Sequence, residues 1–198
     1  MPAGRPMGMG ELASQEIRFK RKFRWTFKIQ DVCNSNEGIP ESFVKLASRP
    51  NLTIDETEIN FLNGKTWIPG KASWETITVT YYDVATKKNK PLWDWLATVY
   101  NFQDNLGLHQ GSNRQAYAGK AVLQLYDGSG GVLEEWVLKN VWPQAIQFGD
   151  LAYDSSEECT IELTLRYSDV SYNPICPNFK IKPCHEACVP GTQGPSEF

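Results

Sequence analysis

Along RFKRKFRWTFKIQ, residues 18–30, apolar and polar side chains alternate. Phe19, Phe23, Trp25, Phe27 and Ile29 take odd positions; Arg18, Lys20, Lys22, Arg24, Lys28 and Gln30 take even ones, with Arg21 the one exception. A period of two belongs to a β-strand with unlike faces, here one aromatic and one basic. The alternation returns in SWETITVTYYDV, where Ile77, Val79 and Tyr81 interleave with Thr76, Thr78 and Thr80. It returns again in ECTIELTLRY, where Cys159, Ile161, Leu163, Leu165 and Tyr167 share a face and Cys159 is expected as a small buried residue. In AVLQLYDGSGGVLEEWVLKNVWP two apolar-rich runs flank Asp127-Gly128-Ser129-Gly130-Gly131, a glycine-rich hairpin turn. A strand rather than a helix follows that turn, so it is not a phosphate-binding loop.

One stretch has another period. In KNKPLWDWLATVYNFQ, Leu92, Trp95, Leu96, Val99 and Tyr100 form a single apolar stripe at helical spacing, with Pro91 in the first turn. The pattern predicts a mainly β chain, an antiparallel barrel or sandwich with one inserted amphipathic α-helix.

Composition adds limits. A chain of 198 residues is one domain with tails. The expected divisions are a flexible arm over 1–17, a β-domain over 18–170 and an extended Cys/Pro-rich arm over 171–198. No apolar run approaches the roughly 20 residues of a membrane span, and MPAGRPMGMGELASQE has no apolar signal core. No membrane partner is expected. Net charge is −3, so the basic stretch is a local concentration on an acidic chain. Basic residues interleaved with aromatics are a footprint of nucleic-acid binding. Stacking on bases needs exposed aromatics, however, and these share the buried parity.

Catalytic chemistry is hard to assemble. The two histidines, His109 and His185, lie in polar or proline-rich stretches. The pairs Glu134-Glu135 and Glu157-Glu158 are adjacent, and neighbours on a strand point to opposite faces. No nucleophile elbow, Walker loop or metal motif is present. No enzyme activity, catalytic residue, metal or cofactor is expected.

VWPQAIQFGDLAYDSSEECTIELTLRY, residues 141–167, resembles the closing hairpin of tail tube proteins from contractile-tailed bacteriophages. It carries an apolar-Trp-Pro turn, Gly-Asp-Leu, Asp-Ser-Ser-Glu and a final alternating strand in order. RPNL, then INFLNGKTWIPGKASWETITVTYYD over 59–83, and the helix with Trp93, Asp94 and Trp95 are similar to earlier parts of the same family. The resemblance covers about residues 18–170. It implies the β-barrel fold shared with the Hcp protein of type VI secretion, and hexameric rings stacked into a tube inside a contractile sheath. It also implies baseplate and tail terminator partners, and DNA that passes through without specific binding. The corresponding place is the virion tail, assembled in the bacterial cytoplasm. A baseplate tube-initiator, an Hcp-like secretion tube and a monomeric nucleic-acid-binding barrel are the alternatives.

The resemblance sorts the remaining residues. A DNA conduit should not grip phosphates, so Arg18, Lys20, Lys22, Arg24 and Lys28 are expected to face an acidic tube neighbour or the sheath. Glu158, Thr160, Glu162 and Thr164 are the lumen-facing candidates. Asn63-Gly64 is a tight-turn signal, and Asn63, Gly64 and Lys65 are expected at an inter-ring contact. Cys33, Cys176, Cys184 and Cys188 admit free thiols or disulfides formed after lysis, and Cys176, Cys184, His185 and Cys188 a poorly spaced zinc site. Disulfides within or between subunits are the expectation, with connectivity open.

Overall fold

The computed structural model describes residues 20–32, 38–101 and 117–174. Nine strands and one α-helix form there, besides two single-turn 3-10 helices at Glu41–Phe43 and Lys87–Asn89: β1 (Trp25–Gln30), β2 (Val44–Ala47), β3 (Leu52–Phe61), β4 (Gly64–Trp74), β5 (Ile77–Tyr82), α1 (Lys90–Val99), β6 (Gly119–Tyr126), β7 (Val132–Phe148), β8 (Thr160–Arg166) and β9 (Asp169–Pro174). All strand pairs are antiparallel. The main sheet runs β1-β6-β7-β8-β5-β2, with β9 added on β7, while among the described residues β3 and β4 pair only with each other.

The 17-residue β7 organises the domain. Its first part lies between β6 and β9, and its second part, from Trp142 on, pairs with β8. The change of partner falls at Asn140, whose φ of +54° is left-handed, a conformation asparagine tolerates better than most residues. Pro143 follows with no N–H for the ladder, and the register slips between it and Ala145. One strand thus serves two four-stranded layers, β1-β6-β7-β9 and β7-β8-β5-β2.

The inward residues of both layers make the core. Phe27, Ile29, Ala121, Leu123 and Leu138 meet Ile77, Val79, Tyr81, Ile161, Leu163 and Leu165. Each large side chain buried this way contributes roughly 1.5–3 kcal/mol. Helix α1 adds Leu92, Trp95 and Leu96, all fully buried. Pro91 sits in its first turn. The buried Trp95 indole donates to the Tyr117 carbonyl at 2.8 Å, and Trp93 stacks on Phe148 with ring centroids 5.9 Å apart.

Three local expectations change. The first strand begins at Trp25 rather than Arg18, because Arg21–Arg24 forms a turn closed by the Arg24 N–H on the Arg21 carbonyl at 3.3 Å. Phe23 is therefore exposed, beneath the Arg24 guanidinium at 5.2 Å, and does not join the core. Cys159 is exposed and not buried. It precedes the first residue of β8, just beyond the end of the paired register at Thr160 opposite Tyr82. Residues 171–174, assigned by pattern to the C-terminal arm, are part of β9.

Candidate functional site

Three surfaces stand out. The first is the outward face of β7-β8-β5-β2. The alternation that buries Ile161, Leu163 and Leu165 turns Thr160, Glu162 and Thr164 outward. Across the sheet Thr80, Glu162 and Gln147 stand in one row; Thr78, Thr164 and Ala145 stand in the next. The face is rich in hydroxyls and short polar groups. Its outer strands, β2 and the second part of β7, each have one sheet edge unpaired among the described residues.

The second surface is the β3–β4 hairpin. Its paired register runs from Leu52 opposite Trp74 to Phe61 opposite Gly64. Strands of this length extend roughly 33 Å at about 3.3 Å per residue. The turn is Leu62-Asn63, with Leu62 at φ +50°. Asn63 is thus in the turn, while Gly64 and Lys65 open β4. Every residue of β3 and all of β4 but Trp74 are exposed, including Ile54, Phe61, Leu62, Trp67 and Ile68. Lys65 pairs with Glu58 across the hairpin at 2.8 Å.

The third surface is a basic mouth around Glu134. Glu134 stands on the inward parity of β7 beside Trp136 and Leu138 and is 1% exposed. Its carboxylate accepts from Lys20 Nζ, from Arg49 Nη2 at 2.6 Å and from Tyr172 Oη at 3.2 Å. Burial pushes the Glu134 carboxyl up, but the Lys20 hydrogen bond and the Arg49 and Lys20 charges outweigh it and hold the group below the usual carboxylate range. Tyr172 is raised by burial and by the adjacent carboxylate. Glu135 points the other way, accepting from Gln124 and Asn173.

No protein-family model matches the chain, and no curated protein does. Solved structures do. A chain of the anti-feeding prophage baseplate aligns at TM-score 0.64 and 14% identity, over 81% of this chain and 99% of its own. A chain of an extracellular contractile injection system, the PVC sheath–tube complex in its extended state, aligns at 0.61 and 19%, over 86% of this chain and 100% of its own. A chain of the anti-feeding prophage tube-terminating cap aligns at 0.62 and 18%, over 81% and 95%. The fold is tail-tube-like.

Within this tail-tube-like fold the basic residues do not share one continuous face. Lys20 turns in to Glu134, Lys28 pairs with Glu41 at 3.1 Å, Arg24 lies over Phe23, and Lys22 is exposed. Of the lumen-facing candidates, Thr160, Glu162 and Thr164 share a face, whereas Glu158 lies in the loop before β8. Arg18, Cys33, Cys176, Cys184, Cys188, His109 and His185 lie outside the described residues. Sequence reasoning missed the Glu134 node. The signal was a carboxylate on the parity of Trp136 and Leu138, which demands a cationic partner; nothing in the sequence identified Arg49.

Proposed function

We propose that the chain is a structural subunit, not an enzyme, and that six copies form a ring. Rings stack into the tube of a contractile tail, which conducts DNA inside a sheath between baseplate and terminator. The β3–β4 arm carries this reading. A two-stranded hairpin alone is marginal in water, and this one exposes Ile54, Phe61, Leu62, Trp67 and Ile68 with no core of its own. An adjacent ring would cover them, with the turn and Lys65 at the contact. The open edges of β2 and the second part of β7 support lateral closure, since pairing one with the other removes both edges. The Thr160, Glu162 and Thr164 face then lines a lumen with little affinity for phosphate.

A tube-initiator role at the baseplate is a second reading, favoured by the likeness to the baseplate chain. Copy number separates the two: one ring per particle against many. Negative-stain imaging of the purified full chain, with and without reductant, tests the main reading. Hollow rings or tubes are expected. Monomers at every concentration would overturn it, and a difference in reductant would report disulfide stapling.

A further inference from the structure

The basic mouth holds an open groove of about 340 Å³ beside Glu134. Its floor is apolar, made by Trp25, Leu46, Leu123 and Leu125, and Arg21 and Lys22 stand on its rim. Lys20 and Arg49 also line it but are engaged by Glu134. Arg21 and Lys22 have no acidic partner among the described residues. The groove is therefore an apolar slot with unneutralised positive charge at its lip.

The loop between β7 and β8, residues 149–159, has the complementary character. GDLAYDSSEEC carries Asp150, Asp154, Glu157 and Glu158 and no basic residue. None of these acids has an ion-pair partner among the described residues. Leu151 is 84% exposed and Tyr153 fully so. Two large apolar side chains held out in water beside four carboxylates are costly for a lone subunit and well suited to an apolar slot with a cationic rim. The loop does not occupy its own groove, since its apolar side chains are bare.

We propose that the 149–159 loop of one copy docks in the basic-rimmed groove of the next copy. Leu151 and Tyr153 enter against Trp25, Leu46, Leu123 and Leu125, and the loop carboxylates face Arg21 and Lys22. Loop and groove are different surfaces of one chain, so the contact is head-to-tail and repeats indefinitely or closes a ring. This rests on the tube reading and names the acidic partner of the basic stretch as the chain itself, not the sheath.

The test is a charge exchange in the full chain, read by sedimentation velocity and negative stain. One variant carries Asp154→Lys, Glu157→Lys and Glu158→Lys; a second carries Arg21→Glu and Lys22→Glu; the third combines them. All five positions are exposed, so circular dichroism should show unchanged folding. Each reversal alone should raise the assembly threshold roughly tenfold, the size expected for a few rim charge pairs, and the combination should restore most of it. Leu151→Ser with Tyr153→Ser should raise the threshold without altering its salt dependence. Wild-type rings or tubes with both reversals assembling normally would overturn the docking and leave the tube reading standing. A wild type that stays monomeric at all concentrations would overturn both.

Discussion

Arg49 Nη2 lies 2.6 Å from Glu134 Oε1, tying a residue three positions before the β3–β4 arm to a buried carboxylate of β7. Lys20 shares that carboxylate from the N-terminal side, and Tyr172 shares it from β9. One buried charge thus fixes the entry to β1, the base of the arm and the last described strand. Its two cations are half-exposed, at 46% and 54%, while Glu134 itself is 1% exposed. Removing the acid lets water take both cations, so Glu134→Gln should cost about 1–3 kcal/mol. Arg49→Met together with Lys20→Met leaves the carboxylate buried and unpaired and should cost more, about 3–5 kcal/mol. Urea unfolding at neutral pH checks the order.

The same carboxylate predicts a pH dependence. Folding lowers the Glu134 pKa, so its contribution is fully present above the unfolded glutamate value of about 4.3. It is lost as pH falls through the lower folded value. The stability gap between wild type and Glu134→Gln should hold from pH 7 to about 5 and shrink below about 4. Paired urea titrations across that range measure it; a gap independent of pH would remove the ion pair as its cause.

Buried hydroxyls give an opposite sign. Tyr81 Oη and Tyr167 Oη are buried without a hydrogen-bond partner among the described residues. Burial pushes the Tyr167 phenol up to about 12, the Glu75 charge adding and the Arg166 charge subtracting, and it raises Tyr81 further. An orphaned hydroxyl costs its hydration without return, so Tyr81→Phe should raise stability by about 1 kcal/mol. In wild type, the ultraviolet signal of ionised tyrosine should appear for Tyr167 near pH 12, later than for exposed tyrosines. Because both folded values are raised, their neutral forms support the fold below pH 10, and that support fades above it.

How much of this was legible depends on whether a residue's role was local. β5 and β8 were readable residue by residue, because each has one core face and one polar face, and period two records both. Helix α1 was readable from its single stripe, though Val99 is only half-buried and Tyr100 is exposed. The pattern overran at β1, where the alternation continues to Arg18 but the chain turns at Arg21–Arg24 and carries Lys20 to Glu134. Cys159 failed for a related reason: parity names a face, and a face is buried only where another layer covers it. The arm was least legible. With no core face, β3 and β4 carry no clean alternation, and only Asn63-Gly64 marked a turn, which lies one residue earlier at Leu62-Asn63. The bend of β7 at Asn140 and the pairing of Arg49 with Glu134 are long-range outcomes that no local window contains.

The arm tip separates folding from assembly. Phe61 and Leu62 are 75% and 90% exposed and are not part of the core cluster, so Phe61→Ser with Leu62→Ser should leave thermal unfolding of the subunit nearly unchanged. If an adjacent ring covers both, about 2 kcal/mol per side chain is lost from stacking, raising the assembly threshold at least tenfold. Leu62→Gly is a useful companion. It relieves the left-handed backbone at φ +50°, steadying the hairpin while still removing an apolar contact. Rings without stacks are the expected image for the double variant; full-length tubes would remove the tip from the inter-ring contact.

The polar face of β8 is tested by giving it the charge a conduit should lack. Thr160 and Thr164 point outward between buried Ile161, Leu163 and Leu165, so Thr160→Lys with Thr164→Lys changes no core contact and should leave subunit stability within about 0.5 kcal/mol. Lysines opposite Thr78 and Tyr82 would stand beside Glu162, and in the proposed ring every added cation would be repeated around the lumen. Each phosphate neutralised steepens the salt dependence of binding by about one unit. Assembled wild type should show little affinity for short duplex DNA at 50–100 mM salt, whereas the lysine variant should retain it at low salt and release it as salt rises. Electron microscopy of the retained complex decides the geometry: DNA inside the tube assigns this face to the lumen, and DNA on the outer wall assigns it to the sheath side.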